Sequence, residues 1–168
     1  VSAPVGIEAL VEAFMEHELS AFLIKNDAQA QTFIEQLTQA DVSGLATFVV
    51  DSPAVQKQSA ISATQIELPE GCCSLLSMLT WSEEITEIMD ALFGDVVLCE
   101  SVSCAQKARS SVSVPLRYLV SSGVVFYPQG KIQRGIVSQE PEEGVLARRR
   151  QLQAAQEKAS PVEHEIGQ

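Results

Sequence analysis

Apolar positions recur along the chain with two periods, one typical of amphipathic helices and one typical of buried strands. In residues 6–18 the apolar side chains recur at helical spacing, and a second helical run follows a capping residue at Asn26 or Asp27. Two short apolar runs, residues 19–24 and 46–51, predict a buried strand after each helix. The first part of the chain therefore predicts the order helix, strand, helix, strand.

The second half of the chain repeats this order. A helical face that follows Ser82 leads to a stop at Gly94, and the apolar run of residues 96–99 predicts a buried strand. A short helix comes next, and residues 116–127 predict a hairpin around a turn of two serines and a glycine. A last strand is predicted at residues 131–137.

The repeat predicts an α+β fold of two pseudo-repeated subdomains, each with a small sheet and flanking helices. Subdomain I with its connector is placed at residues 1–68 and subdomain II at 69–140. The connector is polar, with a short strand predicted at residues 63–68. Residues 141–168 are predicted to hold the start of a coiled coil and a tail. The helix expected at residues 145–159 has few apolar positions, so an ordinary surface helix is the alternative.

Charge is distributed unevenly along the 168 residues. The net charge is −11, of which residues 1–84 contribute −10 and residues 85–168 contribute −1. A polyanion such as DNA would therefore be contacted from the C-terminal part, and only weakly. A solvated basic face is the alternative interpretation of the same positions. The predicted weak DNA contacts are Lys131, Arg134, Arg148, Arg149 and Arg150.

Residues with catalytic or metal-binding chemistry are sparse. Cys72, Cys73, Cys99 and Cys104 have a spacing that suits neither zinc nor a thiol pair, and both histidines lie far from them in the sequence. No phosphate-binding loop is present, and no run approaches the roughly 20 apolar residues of a membrane helix. We therefore predict reduced thiols, with a disulfide or metal framework as the alternative, and no catalytic residue, metal site, cofactor or membrane partner in this segment. An enzyme with Cys99 or Cys104 as nucleophile is the weaker alternative, because no histidine partner is placed.

Several motifs resemble the hinge domain of SMC proteins, the long coiled-coil ATPases of chromosome organisation. In that pattern a helix ending in LGD leads to a strand, a helix, a strand pair with a glycine, and a P-x-G segment flanked by a further glycine. The matching positions in the second half are Leu92, Phe93, Gly94, Asp95, Arg117, Tyr118, Leu119, Val120, Gly123, Pro128, Gly130 and Gly135. In the first half, a strand–helix–strand unit ending in G-R-A-T-F-L-P-L-D is matched by Gly44, Ala46, Thr47, Phe48 and Asp51. The resemblance covers most of residues 7–138 and is to a bacterial condensin-like or divergent branch.

The resemblance implies a non-enzymatic dimerisation module that joins two coiled-coil arms and pairs with a second hinge, as a homodimer or as a heterodimer of related SMC proteins. The full protein would bind ATP at distant head domains, form a ring or V that holds or compacts DNA, and lie on the chromosome in the cytoplasm. Glycines at both ends of the last strand would let two backbones approach closely, and the alternative is that both simply end a hairpin. The predicted interface residues are Gly130, Lys131, Ile132, Gln133, Arg134, Gly135 and Ile136. The competing function is a small-molecule-binding or regulatory α/β domain in which the repeat forms a cleft.

Overall fold

The computed structural model describes residues 1–40, 46–50 and 62–135, together with Leu152. Several predicted features lie outside these residues, including most of the connector and the helix expected at residues 145–159. The individual positions outside them that carry a prediction are Gly44, Asp51, Ile136, Arg148, Arg149 and Arg150. The subdomain boundaries stay predictions.

The helices of the described residues follow the polar caps and apolar faces of the sequence. Asn26 accepts a hydrogen bond from the Gln29 amide at 3.0 Å, and Ser101 accepts one from the Cys104 amide at 3.2 Å, so each supplies the side-chain cap of a helix. The α-helices are α1 (Glu8–Phe14), α2 (Glu16–Leu19), α3 (Asp27–Gln39), α4 (Thr86–Phe93) and α5 (Val102–Ser111). Short 3₁₀ turns lie at Ala63–Gln65, Leu75–Met78 and Glu83–Ile85.

In the part of the chain that the structure describes, the strands form two separate sheets. They are β1 (Phe22–Ile24), β2 (Phe48–Val50), β3 (Cys72–Ser74), β4 (Val96–Cys99), β5 (Arg117–Val120), β6 (Val124–Phe126) and β7 (Ile132–Arg134). The small sheet pairs β1 with β2 in parallel, and the larger sheet has the order β3-β4-β5-β6-β7. Within it only β4 and β5 are parallel. Both parallel pairs are joined across a helix, α3 in the first unit and α5 in the second, so the predicted repeat is present in the described residues.

The inner strand β4 of the larger sheet is buried on both faces, which explains its unbroken apolar run. Along this strand Val96 and Leu98 enter one core, while Val97 and Cys99 enter the other. The first core is closed by residues of α1, α4 and the 3₁₀ turn at Leu75–Met78, and the second by the small side chains of α5. The sheet thus holds both cores together and leaves its two edge strands, β3 and β7, at the outside.

Three sequence predictions differ from the structure. The helix expected over residues 6–18 is divided at Met15 into α1 and α2. Leu19, the first residue of the run predicted as a strand, instead ends α2, and its side chain packs against the first core. The strand expected at residues 63–68 is wrong: a 3₁₀ turn lies at Ala63–Gln65. Strand β3 was not predicted, because three residues are too few to show a period.

Candidate dimer interface

The predicted interface segment begins in a tight hairpin turn between β6 and β7. The Gly130 amide donates to the Tyr127 carbonyl at 3.1 Å, and the Tyr127 amide donates to the Lys131 carbonyl at 2.9 Å. Gly130 has a φ of +86°, the left-handed conformation that a three-residue hairpin loop requires at its last position. A Cβ atom at Gly130 would meet nothing within 4 Å, so within this chain the turn conformation is the reason for this glycine.

A close backbone approach accounts for the glycine at the other end of β7. The Gly135 amide donates to the Gly123 carbonyl, and a Cβ atom at Gly135 would lie 2.9 Å from that oxygen. Both flanking glycines therefore have a reason inside the chain, as the hairpin alternative expected. A role of either glycine in contact between two chains stays a prediction.

At alternate residues of β7 the backbone N–H and C=O groups point away from β6. Hydrogen bonds to β6 at Lys131 and Gly135 fix the antiparallel ladder, in which Gln133 opposes Val125 as the next hydrogen-bonded pair. The N–H and C=O groups of Ile132 and Arg134 therefore point away from β6, towards the edge of the sheet. No strand of residues 1–40, 46–50 or 62–135 pairs with that edge. The edge can accept a further strand.

The side chains of this strand divide between its two faces. Tyr127 lies against the first core, its hydroxyl is 3.3 Å from Gln133 Oε1, and Lys131 Nζ is 4.7 Å from the centre of the Tyr127 ring. Ile132 and Arg134 lie on the opposite face, since side chains alternate along a strand. Ile132 is an exposed apolar side chain, with 61% of its surface accessible. The two predicted DNA contacts Lys131 and Arg134 are thus exposed on opposite faces of one strand.

A second apolar surface, on the small sheet and α3, was missed by the sequence analysis. Phe22 of β1 is 62% exposed, and Phe33 and Ile34 of α3 are about half exposed. Phe48 of β2 holds the group together, with ring centres 5.8 Å from Phe22 and 6.2 Å from Phe33. Helical spacing in α3 predicted an apolar face, but among the described residues α3 covers only a two-stranded sheet, and much of that face is exposed there.

A partly buried ion pair ties the hairpin to the helices beneath it. Arg117 at the start of β5 donates from Nε to Asp95 at 2.8 Å, from a terminal nitrogen to the second oxygen of the same carboxylate, and to the Leu92 carbonyl at the end of α4. Its guanidinium also lies 5.8 Å from the centre of the Phe14 ring. This side chain joins α1, α4 and β5, which supports the sheet that carries β7.

The structure brings cysteines together that are distant in the sequence. Cys72 of β3 is the register partner of Cys99 of β4, and their sulfur atoms are 3.5 Å apart. The expectation that cysteine spacing forms no thiol pair is therefore wrong for these two residues, because strand register is not visible in local spacing. Cys104 lies beside them in the first turn of α5, where the Ser101 hydroxyl donates to its sulfur at 3.2 Å. All four cysteines are free thiols.

A metal-binding cluster and a membrane-spanning helix are both absent from the described residues. No three His, Cys, Asp or Glu side chains there come together in a way that could hold a metal ion. No helix in this part of the chain is long and apolar enough to cross a membrane.

The family model of the SMC proteins flexible hinge domain matches residues 1–109 of the chain. No curated protein sequence matches this chain.

Three solved structures resemble this fold over 81% to 99% of the chain. An asymmetric dimer of the Geobacillus stearothermophilus SMC hinge domain matches with a TM-score of 0.70 at 16% identity, over 98% of this chain and 66% of that one. The Pyrococcus furiosus Smc hinge domain with an extended coiled coil matches with a TM-score of 0.63 at 13% identity, over 99% of this chain and 57% of that one. The folded elbow of cohesin matches with a TM-score of 0.58 at 16% identity, over 81% of this chain and 19% of that one. At these identities the similarity establishes the α+β fold, and this chain spans only part of each of these proteins.

Proposed function

The chain belongs to the family of SMC flexible hinge domains, and on this premise we propose that it is a non-catalytic dimerisation module that pairs with a second hinge through the outer edge of β7. The observation that carries the proposal is the outward direction of the Ile132 and Arg134 backbone groups, next to an exposed apolar side chain. An added strand would satisfy these groups and cover Ile132. The segment from Gly130 to Gly135, continuing to Ile136, forms this interface.

The partner is a second copy of this chain or the hinge of a related SMC protein. The asymmetric dimer reported for the Geobacillus stearothermophilus hinge supports pairing of this kind. In a longer protein the module would join two coiled-coil arms into a ring or V that holds or compacts DNA on the chromosome. The exposed bases Lys131 and Arg134 favour a weak, sequence-independent contact with DNA phosphates as a secondary role.

Sedimentation equilibrium at micromolar concentration tests the proposal, with one variant that blocks only the outer edge. Arg134→Pro removes an amide that points away from β6, so the bonds at Gln133 and Gly135 remain. Arg134→Ala is the matched control, because it removes the same side chain and keeps the amide. We expect the wild type and Arg134→Ala to associate and Arg134→Pro to associate at least tenfold more weakly, with circular dichroism unchanged in all three.

Two results would contradict the proposal. A wild-type chain that is strictly monomeric, and that also binds no related hinge, would remove the dimerisation role. Undiminished association of Arg134→Pro would leave dimerisation intact but exclude the edge of β7 as the interface.

A further inference from the structure

Cys72 and Cys99 have the backbone relationship that a cross-strand disulfide requires. The Glu100 amide donates to the Gly71 carbonyl at 3.0 Å, which makes Gly71 and Glu100 a hydrogen-bonded pair of the β3–β4 ladder. Cys72 and Cys99, one step along, are therefore a non-hydrogen-bonded pair. In such a pair the Cα atoms are about 4.5 Å apart and the side chains converge. That separation lies within the range that disulfides span, roughly 4.4–6.8 Å.

The hydrogen bonds around the pair support this geometry. The Cys72 amide donates to the Pro69 carbonyl at 3.1 Å, on its own side of the ladder, rather than across to β4. The two sulfur atoms already lie 3.5 Å apart, so rotation of side chains can bring them to bonding distance without movement of either strand.

The two thiols differ in access to solvent. Cys99 is fully buried in the second core, beside Ala105 and Tyr118. Cys72 is only partly buried at the edge strand. Cys73 points to the opposite face of the sheet and packs against the first core. A soluble oxidant therefore meets Cys72 before Cys99.

We propose that Cys72 and Cys99 are a modification site, at which a low-molecular-weight disulfide oxidises the two thiols to a cross-strand disulfide. In the first step the Cys72 sulfur, having lost its proton, attacks one sulfur of the small disulfide, and the other leaves as a thiol that takes up a proton. In the second step the Cys99 sulfur attacks Cys72 Sγ, and the second small thiol leaves with the Cys99 proton. The protein loses two electrons and two protons, and the small disulfide becomes two thiols.

The ionisation of the thiols agrees with this order. Burial raises the pKa of Cys72, while its contact with the Cys99 thiol lowers it; Cys104 and the Glu100 carboxylate raise it further. Burial raises the pKa of Cys99 far more, and the neighbouring thiols add to that shift. Cys72 is thus the first nucleophile, and oxidation is slow at neutral pH and faster at alkaline pH.

The bond would pin an edge strand. Among the described residues β3 is paired on one side only, with β4, and a disulfide would close the 27-residue separation between Cys72 and Cys99. The oxidised chain is expected to melt at a higher temperature than the reduced chain, reversibly with dithiothreitol. The site lies at the opposite edge of the sheet from β7 and does not depend on dimerisation.

Cys104 is the competing partner. Its sulfur lies next to Gly71, where an added Cβ atom would be 2.9 Å from it, and it accepts from the Ser101 hydroxyl. Pairing with Cys104 would turn its sulfur away from the Ser101 hydroxyl and lose that hydrogen bond, whereas pairing with Cys99 changes no hydrogen bond of the backbone.

The experiment treats the folded chain with oxidised glutathione, blocks the remaining thiols with N-ethylmaleimide, and maps the products by mass spectrometry. Cleavage after glutamate separates Cys72 from the other candidates, because Glu83, Glu84 and Glu87 lie between Cys72 and Cys99, and Glu100 lies between Cys99 and Cys104. We expect peptide 71–83 to be joined to the peptide that ends at Glu100. Trypsin would be uninformative, since no lysine or arginine lies between Lys57 and Lys107.

Variants identify the sulfur atoms. Cys73→Ser is the matched control on the opposite face and should give the same product and the same rise in melting temperature. Cys99→Ala should retain glutathione on Cys72, and Cys72→Ser should form no link. The proposal is overturned if the wild type keeps all four thiols free, or if the link runs through Cys73 or Cys104. If Cys99→Ala does not fold, the pair of Cys72→Ser and Cys73→Ser distinguishes the same outcomes.

Discussion

Replacement of Gly135 by alanine tests the packing of the hairpin that carries the proposed interface. A Cβ atom there would lie 2.9 Å from the Gly123 carbonyl oxygen, and a further backbone atom of Gly123 lies 3.7 Å away. The atoms that the new Cβ would meet all belong to the backbone of Gly123, so no flexible side chain can move aside to relieve the clash. We expect the free energy of unfolding to fall by about 1–3 kcal/mol, the usual cost of overpacking.

The measurement is urea unfolding followed by circular dichroism, at one fixed protein concentration because association would add stability. Thermal melting should show the same loss as roughly 2–4 °C for each kcal/mol. Gly6→Ala is the matched control, since an added Cβ atom at Gly6 meets nothing within 4 Å, and it should change stability by less than about 0.5 kcal/mol.

Replacement of Gly130 should lower stability for a different reason, which is backbone conformation and not a steric clash. An alanine at Gly130 has open space but must adopt a φ of +86°, which costs about 1–2 kcal/mol. Asparagine tolerates that conformation, so Gly130→Asn should recover most of the loss, whereas Gly135→Asn should not. If Gly135→Ala is as stable as Gly6→Ala, the close approach of β6 and β7 described above is wrong.

Three other predictions concern the ion pair, the buried thiol and the bases. Arg117→Lys should lower the free energy of unfolding, measured by urea titration, by about 1–2 kcal/mol, because lysine cannot make both contacts with the Asp95 carboxylate. An unchanged free energy of unfolding would mean that the paired contact adds nothing to stability. Burial raises the pKa of Cys99 above its ordinary value of 9.0. The stability gained by burying the neutral Cys99 thiol is therefore complete below about pH 9 and declines as the pH rises further. Melting curves in reductant from pH 8 to 10.5 should show this slope, and Cys99→Ala should reduce it, while the raised pKa values of Cys72, Cys73 and Tyr118 keep a part of it. Fluorescence anisotropy at low salt should detect weak DNA binding that a reversal of residues 148–150 to glutamate reduces; binding indifferent to that reversal would indicate a solvated basic face.

The strands buried on both faces were the easiest part of the fold to predict. β4 coincides with its predicted bounds, and the β5–β6 hairpin lies where two apolar runs flank a glycine turn. In both places the local pattern and the final environment agree, because every residue of β4 is buried. The cap at Asn26 was predicted for a similar reason, since capping depends on residues three positions apart.

Features that depend on distant contacts were not predicted. The pairing of Cys72 with Cys99 follows from the register of β3, which no local period reveals. Phe33 has the spacing of a core residue, yet it is half exposed because α3 has only two strands to cover. The interface segment was located by resemblance, but the outward direction of alternate amides became visible only with the register of β7.

Amide hydrogen exchange in β7, followed by NMR as a function of protein concentration, tests the central claim most directly. The Gln133 amide faces β6 and should be protected at every concentration, whereas the outward amides of Ile132 and Arg134 should exchange rapidly in the monomer. If two hinges pair through this edge, both outward amides become protected as the dimer forms. A dimer in which Ile132 and Arg134 still exchange rapidly would contradict the claim.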